Sequence, residues 1–92
     1  MFEAADWSHR GDYIAKHGVT SAQADEAIAD PERVVINPDP ASKSGRGVRI
    51  IGYSTTAQAV LTVIVLDDEG TTHGVNAWKA NARDQRLYRG EE

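Results

Sequence analysis

Two stretches decide the fold: Gly47-Val48-Arg49-Ile50-Ile51-Gly52-Tyr53-Ser54, and Ala59-Val60-Leu61-Thr62-Val63-Ile64-Val65-Leu66. In the first, alternation places Val48, Ile50 and Gly52 on one face of a strand and Arg49, Ile51 and Tyr53 on the other. The second is apolar on both faces, so it reads as a central strand covered from both sides. Thr55 to Gln58 is the turn between them. Further on, Asp67-Asp68-Glu69-Gly70 is a polar hairpin turn, and Thr71 to Ala80 is the next strand. Upstream, Arg33 to Asn37 is a short first strand closed by Pro38 and Pro40.

Before Pro31 the period is helical. Trp7, Tyr13 and Ile14 put one face of a helix over residues 7–17 toward a core. Lys16 and His17 fall in its last turn and Gly18 follows, as expected where a helix ends on a left-handed glycine. Thr20-Ser21-Ala22-Gln23 is a capping box that opens a second helix at Ser21. That helix buries Ala22, Ala27 and Ile28 and stops at Asp30-Pro31. The two helices are close enough in sequence to form a helical hairpin. Asn81 is a plausible cap for a closing helix that runs to Arg89. The order ααββββα predicts one α+β domain over residues 1–92: a helical hairpin on a four-stranded, mainly antiparallel sheet with a C-terminal helix, the helices on one face and the other face partly open. Asn37 to Gly45 is the one segment expected to be mobile.

Composition narrows the function. The 92 residues contain no cysteine, which removes disulfides, thiolate metal sites and thiol nucleophiles and fits a reducing cytoplasm. The N-terminus lacks the basic and apolar regions of a signal peptide, and the longest apolar run is too short to span a bilayer. We therefore expect a cytoplasmic protein with no membrane association. No P-loop, GxGxxG, metal-binding histidine pair or nucleophile elbow is present, so neither cofactor nor metal is expected.

Charge is unevenly placed on this chain of net charge −4: residues 3–32 carry seven acids against two bases. Residues 41–66 carry Lys43, Arg46 and Arg49 with no acid, and residues 79–89 carry Lys79, Arg83, Arg86 and Arg89 against Asp84 alone. Two cationic segments on an acidic protein are a footprint for phosphate, although arginines at sheet rims and helix ends can simply be solvated.

Several strings in order resemble the BrnT family of type II toxins, within the RelE-like group of small ribonuclease toxins. They are Trp7, Lys16-His17-Gly18-Val19, the alanine-rich helix ending at Asp30-Pro31, Ile51-Gly52-Tyr53-Ser54 and Val60-Leu61-Thr62-Val63. Asn76-Ala77-Trp78-Lys79-Ala80 stands where the family shows "SARKA", with Trp78 in place of the arginine, and Arg83, Arg86 and Tyr88 follow its tail. The resemblance spans nearly the whole chain. It implies a metal-independent endoribonuclease toxin that cleaves RNA. It also implies neutralisation by a cognate antitoxin, a small ribbon-helix-helix-like DNA-binding protein, so DNA is reached only through that complex.

Metal-free RNA cleavage needs a proton acceptor for the 2′-hydroxyl, cations on the scissile phosphate and a proton donor to the leaving oxygen. Arg49, Lys79 and Arg83 are the expected phosphate clamp, arginine being suited by its planar fork. His73 is the candidate base, on a strand face read as shared with Val75, Ala77 and Lys79. Arg46, Trp78, Arg86 and Tyr88 are the expected RNA contacts, with Trp78 a core residue or a stacking platform in equal measure. Tyr88 beside Leu87 also suits a core position. His17 has a ready role as a cation at a helix C-terminus, worth up to about 1 kcal/mol. The alternative class is a catalytically inactive toxin-fold module that holds a protein or RNA partner.

Overall fold

The computed structural model describes residues 4–8 and 10–90; His9 and the two chain ends lie outside the described residues. The chain forms α1 (Gly11–Ala15), α2 (Ser21–Ala29), β1 (Val34–Ile36), β2 (Gly47–Ser54), β3 (Ala59–Asp68), β4 (Thr71–Lys79) and α3 (Ala82–Tyr88). The four strands make one sheet in the order β1-β2-β3-β4, antiparallel throughout. β3 is central, as its two-sided apolarity predicts. The α+β class and the four antiparallel strands match the expectation from sequence.

Alternation along β2 and β3 sorts the core. Val48, Ile50, Leu61, Val63 and Val65 meet Ile14, Val19, Ala24, Ala27 and Ile28 on one face. On that face α1 packs against β4, and α2 packs across β2 and β3. The Thr20–Gln23 capping box is formed in both directions, at 3.1 Å for the Gln23 N–H and 3.0 Å for the Thr20 N–H. Ala24, and not the exposed Ala22, is buried on α2 with Ala27. It shares a helix face with Ala27 and Ile28 by the three-and-four spacing.

α1 is shorter than the predicted 7–17, because Trp7 is placed by strand pairing and not by a helical turn. Asp6 donates its N–H to the Thr72 carbonyl and accepts the Gly74 N–H, each at 2.8 Å, forming an isolated parallel bridge beside β4. Two further carbonyls of that outer edge are met by side chains. Arg10 Nε donates to the Val75 carbonyl at 2.9 Å, and His17 Nδ1 lies 3.3 Å from the Ala77 carbonyl. Such contacts blunt the edge against pairing with a further strand.

The other sheet face is not left to solvent: α3 crosses it, packing against β2 and β3. This corrects the expectation that all helices sit on one side. Chain reversal after β4 supplies the reason. Asn81 is extended (φ −76°, ψ 176°) and its side chain accepts the Asp84 N–H at 2.9 Å, starting a helix aimed back over the sheet.

Two glycines mark where backbone and ring come closest. A Cβ on Gly52 would stand 2.0 Å from the Ala27 carbonyl oxygen, and one on Gly74 would stand 2.3 Å from the Trp7 ring. Gly52→Ala forces α2 off β2, so we expect it to cost about 1–3 kcal/mol. A lowered urea midpoint with unchanged far-ultraviolet circular dichroism checks this.

Candidate functional site

Register fixes which side chains share the α3 face. Arg49 lies opposite Ile36 and Ile64, and Ile64 opposite Asn76; Ile51 lies opposite Thr62, and Thr62 opposite Trp78. Arg49, Thr62 and Trp78 therefore stand on one face, beneath α3 or beside it. The Arg49 guanidinium carbon lies 5.9 Å from the Trp78 ring centroid, within cation–π range.

Arg49 is the hub of this face. Its Nε donates to Asp39 Oδ1 at 3.0 Å and its Nη1 to Asp84 Oδ2 at 2.8 Å. Thr62 Oγ1 donates to the same Asp84 oxygen at 2.7 Å. Asp39 and Asp84 are only 6% and 1% exposed, and the Arg49 side chain 16%. Buried carboxylates are tolerated when paired and hydrogen-bonded in this way. The local chain explains their positions. Asp39, between two prolines, accepts the Ala41 N–H on its side chain and the Ser42 N–H on its carbonyl, so it shapes the turn after β1. Asp84 sits in the first turn of α3, where a negative charge is favoured.

The other expected site residues divide. Arg83 is exposed on α3 and shares with Arg49 a cleft of about 220 Å³, also lined by Ile36, Pro40, Ala41, Asp84 and Leu87. Lys79 lies opposite Leu61, on the face covered by α1 and α2, so the clamp of Arg49, Lys79 and Arg83 is not gathered on one face. α3 begins at Ala82, so Lys79 stays on the strand while Arg83 and Arg86 share a helix side. His73 also changes face. The register slips between Ile64 and Val65, leaving Val75 as an extra residue in β4, a bulge. His73 thus lies opposite Leu66 on the Trp78 side, separated from Ala77 and Lys79. It stands about 13 Å along the sheet from Trp78 by strand rise. Arg46 is exposed at the far end of β2 and pairs with Asp68 at 3.2 Å.

Tyr88 is engaged. Its hydroxyl donates to Asp30 Oδ2 at 2.6 Å, and that oxygen also accepts the Tyr53 N–H at 2.8 Å. The Asp30 hydrogen bond, reinforced by burial, pushes the Tyr88 phenol up to about 12. Burial pushes Asp30 upward, but donation from Tyr88 and from the Glu32 and Tyr53 N–H groups, with Arg33 nearby, outweighs it and holds the carboxyl below its usual range. On α2, the Ser54 hydroxyl, then the Thr56 hydroxyl and N–H, lower Glu26 as well.

The sequence pattern did not mark Asp39, Thr62 or Asp84 as members of this site. The one available signal was Asp84, a lone acid within a cationic segment and three residues after a capping asparagine. Among the described residues no cluster of three or more His, Asp or Glu could hold a metal ion, and no helix is long and apolar enough to cross a membrane. No family model matches the chain, nor does any curated protein or solved structure.

Arg49→Ala leaves two buried carboxylates without their cation, and we expect it to cost about 3–5 kcal/mol in urea unfolding. The pH profile follows from the shifts. Depressed Asp30 and Glu26 contribute stability above the usual carboxylate range that is lost as pH falls through their folded values. Raised Tyr88 contributes stability present below pH 10 and lost as pH rises through about 12. Ultraviolet titration should show a late-ionising phenol near 12 that Tyr88→Phe removes.

Proposed function

We propose that this chain is a RelE/BrnT-like toxin domain, with α1 and α2 as the helical hairpin of that fold, acting as a metal-independent endoribonuclease and held by a cognate antitoxin. One observation carries the RNA reading. Lys79, Arg83 and Arg86 are exposed at the end of β4 and on α3, and among the described residues none of them forms an ion pair. Uncompensated cations on a chain of net charge −4 suit a phosphate backbone. Trp78, half-buried on the Arg49 face of the sheet, offers a ring for base stacking. The ordered strings from Trp7 to Tyr88 support the same reading.

In this scheme Arg83 and Arg86 hold phosphate, and Arg49 is a positioning residue that orients α3 through Asp84. His73 is the available base on the Trp78 side of the sheet. The antitoxin engages the acidic first third of the chain, where charge complementarity with a basic partner speeds encounter.

A second reading is favoured by Arg49 itself. Its guanidinium is matched by two buried carboxylates, leaving it little capacity to stabilise a phosphorane-like transition state. The second reading is a catalytically inactive toxin-fold module that holds a protein or RNA partner.

Induced expression of the chain alone, and together with the product of its neighbouring gene, separates the two. We expect growth arrest and loss of bulk RNA integrity with the chain alone, relieved by co-expression. Arg83→Ala with Arg86→Ala should reduce RNA cleavage tenfold or more, while each changes stability by less than about 0.5 kcal/mol. Intact RNA and unimpaired growth would leave the binding module as the reading.

A further inference from the structure

The loop between β1 and β2 and the end of the sheet beside it enclose a second cavity, about 320 Å³. The sheet contributes half-buried Ile64, Leu66 and Val75. Ile64 pairs with Asn76, two residues along β4 from Trp78 and on the same face, so the cavity and the indole stand about 7 Å apart by strand rise. The loop contributes Ser42 and Ser44. Ser42 Oγ accepts the Gly47 N–H at 3.1 Å and Ser44 Oγ the Arg46 N–H at 3.2 Å, and the two hydroxyls lie 3.4 Å apart. One O–H serves that contact, which leaves the other free to donate. Lys43, between these serines, is exposed and forms no ion pair among the described residues; Arg46, also exposed, pairs with Asp68. Asp39 also lines the cavity and is ion-paired with Arg49 at 3.0 Å.

We propose that this cavity seats one unstacked base of a single-stranded RNA, with a flanking phosphate on Lys43 and a neighbouring base against Trp78. The proposal rests on the RNA reading and extends it from α3 to the cationic segment that begins at Lys43. Single-stranded RNA is recognised by splaying bases onto aromatic and apolar surface while cations take the backbone. A separation of about 7 Å is twice the roughly 3.4 Å spacing of stacked bases, so bases held at Trp78 and in the cavity are parted from each other. Ile64, Leu66 and Val75 give the base an apolar bed, and the free serine O–H can donate to a carbonyl oxygen of its edge. Lys43 is a compact charge on a flexible stem, able to follow a phosphate that is not held in one geometry. An apolar side chain of a protein partner would use the bed but leave the hydroxyl proton and the ammonium without a role.

Amide chemical shifts of the isotopically labelled full chain test this, titrated with 2′-O-methyl tetrauridylate, which lacks the hydroxyl that cleavage requires, and with its abasic counterpart. We expect saturable shifts at Ser42, Ser44, Gly47, Ile64 and Leu66 with the uridylate. The abasic chain, with the same phosphates, should lose these and keep the shifts on α3. Lys43→Ala should weaken binding several-fold and lower the slope of log affinity against log salt by about 0.7, one phosphate contact. Val75→Phe, which fills the cavity, should remove the cavity shifts and leave those at Trp78, Arg83 and Arg86. If that variant fails to fold, Ser44→Ala, at an exposed position, should weaken binding several-fold. Shifts at Trp78, Arg83 and Arg86 with none in the cavity would overturn this inference and leave the RNA reading standing, whereas no shifts anywhere would overturn both. Equal cavity shifts with the abasic chain would also overturn it. So would saturable cavity shifts with N-acetyl-leucinamide and none with the uridylate, which would assign the cavity to a partner's apolar side chain.

Discussion

The fold turns on one guanidinium. Arg49 joins three pieces of chain that share no secondary structure: β2, the loop after β1 through Asp39, and α3 through Asp84. α3 has only seven residues, far too few to persist alone in water. It is held at its first turn by Asp84 on Arg49 and Thr62, and at its last by Tyr88 on Asp30. The desolvation of three charged groups offsets most of the Coulombic gain, so the arrangement contributes more to orientation than to stability. It fixes which side of α3 meets the sheet, and so which side carries Arg83 and Arg86 outward.

Asp30 repeats the logic at the opposite end. It terminates α2, accepts the β2 backbone at Tyr53, and receives the hydroxyl of α3. A single carboxylate thereby ties the helical layer on one face of the sheet to the helix on the other. Both ties place a carboxylate at a helix end, Asp84 in the first turn of α3 and Asp30 at the C-cap of α2. On the α1–α2 face the close packing of Gly52 on Ala27 and of Gly74 on Trp7 is joined by polar ties of the same kind, Asp25 accepting the Trp7 indole N–H at 2.9 Å and Glu26 the Ser54 hydroxyl at 2.6 Å.

The parts of this structure legible in the sequence are those set by local periodicity. The faces of β2, the centrality of β3, the Thr20 cap, the left-handed Gly18 and the Asn81 cap all follow from residues within a few positions of each other. What was not legible depends on distant partners. Asp39 and Asp84 lie ten residues before and 35 after Arg49, and nothing local distinguishes them from solvated acids. The bulge at Val75 is a property of two paired strands, and it alone moves His73 to the other face from Ala77 and Lys79. The Asp6 bridge to β4 likewise overrode a helical spacing that Trp7, Tyr13 and Ile14 had suggested.

The balance of charge around Arg49 relocates any anion-binding role. A phosphate entering the α3 cleft meets Arg83 but also Asp84, with Arg49 already matched by its two carboxylates. Arg83 and Arg86 are both exposed on α3 and act in high dielectric, where their attraction is screened by salt. Polyanions are therefore favoured there by several weak contacts, not by one strong clamp.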